Sequence, residues 1–239
     1  MSVWQQLAAF LADPTTWSGA DSIPVRLAEH LYYTGAALAL AALVALPVGM
    51  LIGHTGRGAF VAIGIGNAAR SFPTFGVLIL VVLVVGLGFT PVLLALVVLG
   101  IPPILTATYA GIQGVDDATV TAARGMGMTE VDLMLRVETP VALPVILSGV
   151  RSATLQIVST ATIAAYVALG GFGRYVVDGL KSRDFGEMLT GALLVALLAV
   201  VLDLAFWLLG RVVVSPGVSR RFHRTRAPAT PHSPSQVPA

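Results

Sequence analysis

The stretch VDDATVTAARGMGMTEVDLMLRVETPVALPVILSGVR, Val115–Arg151, is polar and charged, yet long apolar segments lie on both sides of it. Asp116 and Asp117 stand where a short helix through Arg124 would begin, and an aspartate there accepts from backbone amides that have no other partner. Gly125 and Gly127 then break that helix, because glycine takes backbone angles other residues resist. Thr129, with Asp132 three residues on, reads as a second N-cap, opening a turn or two of amphipathic helix to about Val137. Pro140 ends that helix, and Pro144 falls in the first turn of the next one. The pattern predicts two short helices hinged at glycine, a compact knob suited to docking against a partner rather than to chemistry.

The composition around this stretch is that of a membrane protein. Of 239 residues, 56% are hydrophobic and 11% charged, against about 25% charged in soluble domains. There is no cysteine, so a disulfide scaffold, a thiol nucleophile and a cysteine-ligated metal are excluded. The N-terminus has neither a basic leader region nor a small-residue cleavage site, so no signal peptide is expected.

About 20 apolar residues span a bilayer as helix, and five segments qualify: Leu31–Ile52, Ala59–Gly88, Pro91–Tyr109, Pro144–Leu169 and Met188–Leu209. The second is interrupted by Pro73. Since Thr74–Gly88 alone would reach only about 22 Å, it is read as one long helix broken at RSFP, Arg70–Pro73. Residues 1–30, with Trp4 and Trp17 among acidic residues, form an interfacial arm. Residues 31–214 form the transmembrane domain, with Pro47 kinking its first helix and Pro102 and Pro103 bending its third. Residues 170–187 form an exposed loop, with or without a short helix in it. The tail 215–239 is basic and then rich in proline and serine, with too little apolar surface to fold. Arg211, Arg220, Arg221, Arg224 and Arg226, with no acid among them, place the C-terminus in the cytoplasm. The knob is then cytoplasmic and the N-terminus lies outside.

TAARGMGM, followed by LP and an apolar helix, resembles the cytoplasmic coupling loop of ABC-transporter permeases, whose pattern is E-A-A, three residues, G, and proline further on. Ala122, Ala123, Gly127 and Pro140 match it, with Pro144 as the second proline; Thr121 departs from it, standing where the family has glutamate. The likeness extends to RSFP, to TYAGI at Thr108–Ile112 and to GGFG at Gly170–Gly173, covering roughly Leu31–Val214. The run TYAGIQGVDDATVTAARGMGM looks most like permeases for osmoprotectants such as glycine betaine, carnitine and choline. Permeases for methionine and other small solutes share much of this pattern. The resemblance implies an all-α membrane fold of the type I importer kind in the cytoplasmic (inner) membrane. It also implies a homo- or heterodimer of permease subunits, a separate ATPase docked on Thr121–Gly125, Gly127, Met128, Pro140 and Pro144, and an extracytoplasmic binding protein that delivers substrate. No G-x-x-x-x-G-K-[ST] cradle is present, so ATP is expected on the partner chain and no cofactor on this one.

Other polar residues carry two readings each. Arg70 either lines a pathway or bonds the carbonyls freed by Pro73. Ser71, Pro73, Ser159 and Thr160, with Ser152, Thr154 and Thr162, either line a polar path or pack helices together. Asp203 either reaches the membrane surface or pairs with Arg211, or it couples protons. An ion-coupled carrier, the rival of another class, would need such intramembrane carboxylates. His30, His54, His223 and His232 have no ligand spacing and read as surface residues. No metal, no catalytic constellation and no nucleic-acid partner is expected.

Overall fold

A computed structural model describes residues 2–71, 73–167 and 169–214, the side chains at 61, 63 and 67–70 excepted. The described chain is helical throughout. Helix α1 covers Val3–Ala12, α2 Ile23–Thr55, α3 Ala59–Ser71, α4 Thr74–Val85 and α5 Phe89–Gln113. Then come α6 Asp117–Gly125, α7 Glu130–Leu133, α8 Thr139–Ala161, α9 Gly173–Ser182 and α10 Phe185–Val213. Helices α2 and α5, the run from α7 through α8, and α10 are long and apolar enough to cross a membrane unaided.

The fifth expected crossing is the broken one, and its halves, 13 and 12 residues long, are each too short to cross alone. α3 and α4 are separated at Pro73 and lie against different parts of α5. Gly66 of α3 is packed so closely on Thr106 that a Cβ there would stand 2.6 Å from the threonine methyl. Leu78 of α4 is buried with Val92, Ala95 and Leu96 near the start of α5. The pair therefore runs antiparallel to α5 over about 20 Å of its length.

The core is α2, α5 and α8, held by small residues. Ala37, Ala41, Ala45, Gly49 and Gly53 recur every four residues on the buried face of α2. A Cβ on Gly49 would lie 2.8 Å from Thr108 Cβ, and one on Gly53 2.6 Å from Ile112 Cβ. From α8, Gly149 meets α5 so closely that its Cβ would lie 2.4 Å from Ala107 Cβ and 2.8 Å from the Pro103 carbonyl oxygen. Lipid is as apolar as leucine, so membrane helices gain little by burying hydrocarbon and associate through such backbone approach.

Three expectations are corrected. α2 begins at Ile23 rather than Leu31, because Pro24 sits in the first turn and Arg26, 13% exposed, is covered by its pairs with Asp21 and Glu29. Pro140 does not end the helix before it. The chain widens into one π turn, Met134–Glu138, and runs on into α8, with Pro140 in its first turn and Pro144 inside it. The Thr139 amide and its hydroxyl, at 2.7 Å, both donate to the Met134 carbonyl; the extra residue accommodates the amide that proline lacks. Finally, 170–187 does contain a short helix, α9, but one face of it is packed inward rather than exposed. α9 buries Tyr175, Val177 and Gly179, and its cations Arg174 and Lys181 both face Asp178, at 2.8 and 3.8 Å.

The packing makes a direct prediction. Gly149→Ala is expected to lower stability in detergent by about 1–3 kcal/mol, since Pro103 and Ala107 must move. Gly35→Ala, with open space around its Cβ, is expected to be neutral or to stabilise by up to about 1 kcal/mol through helix propensity. Thermal denaturation of the two purified variants compares them, and equal midpoints would refute the close-packing account.

Candidate coupling surface and polar face

At one end of the bundle, α6 and α7 form the knob. Asp116 caps α6, its Oδ1 accepting from the Ala118 amide at 2.9 Å. The helix closes through two bonds, Gly127 N–H to Arg124 O at 2.9 Å and Met128 N–H to Ala123 O at 3.3 Å. These are the paired bonds of a Schellman ending, and they require the residue at Gly127 to be left-handed; its φ is +83°. Gly125 is only the last residue of α6 and has no positive φ. Thr129 restarts the helix, accepting from the Asp132 amide at 3.2 Å and donating to its carboxylate at 2.8 Å.

Thr121, Ala122, Arg124, Gly125 and Gly127 are exposed and Met128 is half-buried. Ala123 is not outward-facing: it is 3% exposed and turned into the protein. The outward surface instead carries Met126, Val131 and Leu135 at 77%, 62% and 51% exposure.

Polar bonds fasten this knob to the membrane helices. Arg124 grips Glu130 with two bonds, 2.8 and 2.9 Å. Glu130 lies 3.1 Å from Nε2 of His54, at the end of α2, while Nδ1 of His54 lies 2.7 Å from Glu138 in the π turn. Both ring nitrogens face carboxylate oxygens, so the ring bridges Glu130 and Glu138. Glu138 is 4% exposed, so His54 is its link out of the interior. Alongside, the Gln113 amide donates to the Gly53 carbonyl at 2.6 Å, tying α5 to α2.

At the opposite end, the GGFG turn is clamped by α2. Gly171, at φ +84°, donates to Glu29 Oε2 at 2.7 Å, and Phe172 N–H donates to His30 Nδ1 at 3.3 Å. With Nδ1 accepting, His30 Nε2 carries the proton and donates to the Val158 carbonyl at 3.1 Å. A Cβ on Gly173 would fall 2.0 Å from the Thr162 carbonyl oxygen, which excludes any side chain there. Tyr175 donates to the Asp21 carbonyl at 2.6 Å, and burial pushes its phenol up to about 12.

His30 and His54 are therefore interior ties rather than surface residues, and only the long-range fold reveals it. His223 and His232 lie outside the described residues. Among the described residues no cluster of His, Asp and Glu could hold a metal.

The third feature is a polar face along α8. Ser148, Ser152 and Ser159 are exposed at helical spacing, with Gln156 half-buried beside them and Tyr166 exposed beyond. A cavity of about 350 Å³ opens here between α8, Pro102–Thr106 and Gly66. Ser71 and Pro73 are exposed at the α3–α4 break, and Phe75 just after it meets Tyr166 edge-on at 5.8 Å. Ser159 belongs to this face, whereas Thr160 is 6% exposed and turned into the core. The side chain of Arg70 lies outside the described residues. Asp203 does not pair with Arg211: it is bound by Arg151, and Arg211 lies over the Trp207 ring.

Residues 45–215 match the family described as binding-protein-dependent transport system inner membrane component. The glycine betaine/carnitine/choline transport system permease protein OpuCB of Bacillus subtilis (strain 168) is 33% identical over 190 residues, 80% of this chain and 88% of that protein. The choline transport system permease protein OpuBB of the same organism is 33% identical over 192 residues, again 80% and 88% of the two chains. In fold, a chain from an inward-facing structure of the MetNI methionine ABC transporter superposes with a TM-score of 0.71 at 22% identity, over 85% of this chain and all of that one.

The His54 link gives the prediction here. His54→Ala leaves the buried Glu138 carboxylate unpaired and is expected to cost on the order of 3 kcal/mol. The His54→Ala/Glu138→Ala double variant should lose less than the two single losses combined, with a coupling of about 1–3 kcal/mol. Strictly additive losses in thermal denaturation would mean that the pair ties nothing together.

Proposed function

The chain belongs to the binding-protein-dependent transport inner membrane components, and from that premise we propose that it is the membrane subunit of an importer for a small quaternary-ammonium osmoprotectant of the glycine betaine, carnitine or choline kind. The observation that supports the coupling half of this reading is the α6–α7 knob. It is capped at both ends, closed at Gly127 and faced with exposed Met126, Val131 and Leu135. The substrate half rests on the relatives, whose names carry these solutes.

In this reading a separate ATPase seats on the knob, two permease subunits face each other across the serine face of α8, and a binding protein delivers solute at the GGFG end. Closure of the ATPases pushes α6. The push passes through Arg124, Glu130 and His54 to α2, and through the π turn to α8. α2, α5 and α8 are packed too closely to slide, so they tilt as one body, which opens one gate as the other shuts. The path includes Ser71, Pro73 and Ser159, with Arg70 at the break; Thr160 supports it from behind. An ion-coupled carrier is disfavoured because Asp203 is occupied by Arg151. In this reading the basic residues from Arg211 onward keep the C-terminus and the knob in the cytoplasm, and the N-terminus, with α1 and α9 at the end opposite the knob, is outside.

Gly127→Val forces a β-branched residue into left-handed backbone, a strain on the order of 1–3 kcal/mol. The permease is expected to insert normally, to lose its ATPase on co-purification and to stop uptake of glycine betaine. Gly125→Ala is expected to retain both properties. Normal ATPase association and uptake in Gly127→Val would remove the coupling assignment, while a partner binding protein that holds methionine and none of the three osmoprotectants would remove the substrate. Sidedness has its own test in this cysteine-free chain. Ser2→Cys should react with an impermeant thiol reagent on intact cells and Met128→Cys should not; the reverse pattern refutes the orientation.

A further inference from the structure

Asp203 lies within α10, about 15 Å along the helix from Val213. Arg151 of α8 holds it with two parallel bonds, Nε to Oδ1 at 2.5 Å and Nη2 to Oδ2 at 2.6 Å. Neither side chain is sealed away, at 41% and 35% exposure. Charges at this depth face a bundle interior or an aqueous path rather than hydrocarbon. Arg151 stands directly beside Ser152 and one turn from Ser148, so the pair borders the serine face on its α10 side.

From this pair toward the knob, α8 and α10 form an open, mainly apolar groove of about 430 Å³ whose lining includes Arg151, Ser148, Phe206, Trp207 and Arg211. That volume lies within the range of small-molecule sites. The Trp207 ring, one turn beyond Asp203, already carries a cation on its face: the Arg211 guanidinium carbon sits 3.7 Å from the ring centroid. The groove thus offers a fork for a carboxylate and an aromatic face that holds a positive charge, with Asp203, outside the groove's own lining, bonded to that fork.

We propose that this groove is a transit station for a small zwitterion bearing both a carboxylate and a quaternary ammonium, an assignment that rests on the osmoprotectant reading above. The solute's carboxylate takes the Arg151 fork from Asp203. Its ammonium lies between Asp203 and Trp207, displacing the Arg211 side chain. A quaternary ammonium has no N–H, so charge and the ring face hold it without hydrogen bonds. Arg151 and Asp203 each exchange one partner for another, and the displaced Arg211 is exposed in the last turn of α10 and keeps its water, which avoids the penalty of an unpaired charge away from water. Such an exchange binds weakly enough for the solute to leave again, as conduction through a pathway demands.

The test uses the whole importer in proteoliposomes, with the ATPase and binding protein present. Arg151→Gln/Asp203→Asn removes both charges together, so no unpaired ion impairs folding. Glycine betaine then loses its carboxylate partner, while choline, which has no carboxylate, keeps the Trp207 face. The ratio of glycine betaine to choline uptake is expected to fall about tenfold, the worth of a charged hydrogen bond. Trp207→Leu, which leaves the ion pair intact, is expected to slow both substrates together. An unchanged ratio in the double variant, at equal abundance and ATP hydrolysis, would overturn the station and assign the pair to structure alone. A loss reversed by enriching the vesicles in phosphatidylglycerol would overturn it in favour of a lipid phosphate. If the wild-type importer carries none of these solutes, the substrate reading itself fails; normal wild-type uptake with an unaltered variant ratio sinks only the groove.

Discussion

The distance of closest approach between α2, α5 and α8 governs the rest of this structure. Gly49 and Gly53 of α2, and Gly149 of α8, bring backbone against backbone where even one methyl group would collide. Within a bilayer this is the main source of cohesion available, because dispersion gains fall steeply with separation and hydrocarbon burial is nearly neutral. A core made in this way behaves as a solid piece. α3, α4 and α10 pack around it with large exposed faces, and only 6% of the most apolar window of α10 is buried. Those faces leave broad apolar surface for lipid to cover.

α2 carries a polar tie at each of its two ends. Glu29 and His30 hold the GGFG turn and the Val158 carbonyl, and His54 holds Glu130 and Glu138. About 36 Å of continuous helix separates the two histidines. A long helix packed along α5 cannot shorten, so displacement at His54 reaches the GGFG turn as rotation or tilt rather than fading between them. The π turn before α8 plays the complementary part. Its extra residue and wide backbone are the least regular place between the knob and α8, and its buried Glu138 is bonded to α2. Bending would concentrate there while the small-residue core stays rigid.

Much of this was legible in the sequence because the signals were local. The apolar runs gave the crossings, Pro73 gave the break between α3 and α4, and Asp116, Thr129 and Gly127 gave the caps and hinge of the knob, since each rests on bonds spanning only a few residues. What escaped depends on residues far apart in the chain. Arg151 meets Asp203 and His30 meets Phe172 across separations of 52 and 142 residues, and no spacing rule announces such pairs. Pro140 misled for another reason: proline is a dependable helix breaker only where the turn before it stays α-helical, and here Met134–Glu138 widened instead. Ala123 shows the limit of motif reading, for the small residue of the loop that looked like contact surface is packed inward, where its carbonyl closes the helix.

Thr121 can be understood through the same geometry. Its glutamate counterpart in the family would place a charge on the outward face of α6. In this chain four charges of the knob are already engaged in pairs, Arg124 with Glu130 and Arg136 with Asp132. A further exposed ion pair with a partner would add little, since such pairs contribute about 0–1 kcal/mol in water. Burying Met126, Val131 and Leu135 offers more, at roughly 25 cal/mol per Å² of apolar surface removed from water. A knob that docks through these side chains can transmit force without a glutamate at position 121, provided that its shape is fixed. The two caps and the left-handed Gly127 fix it.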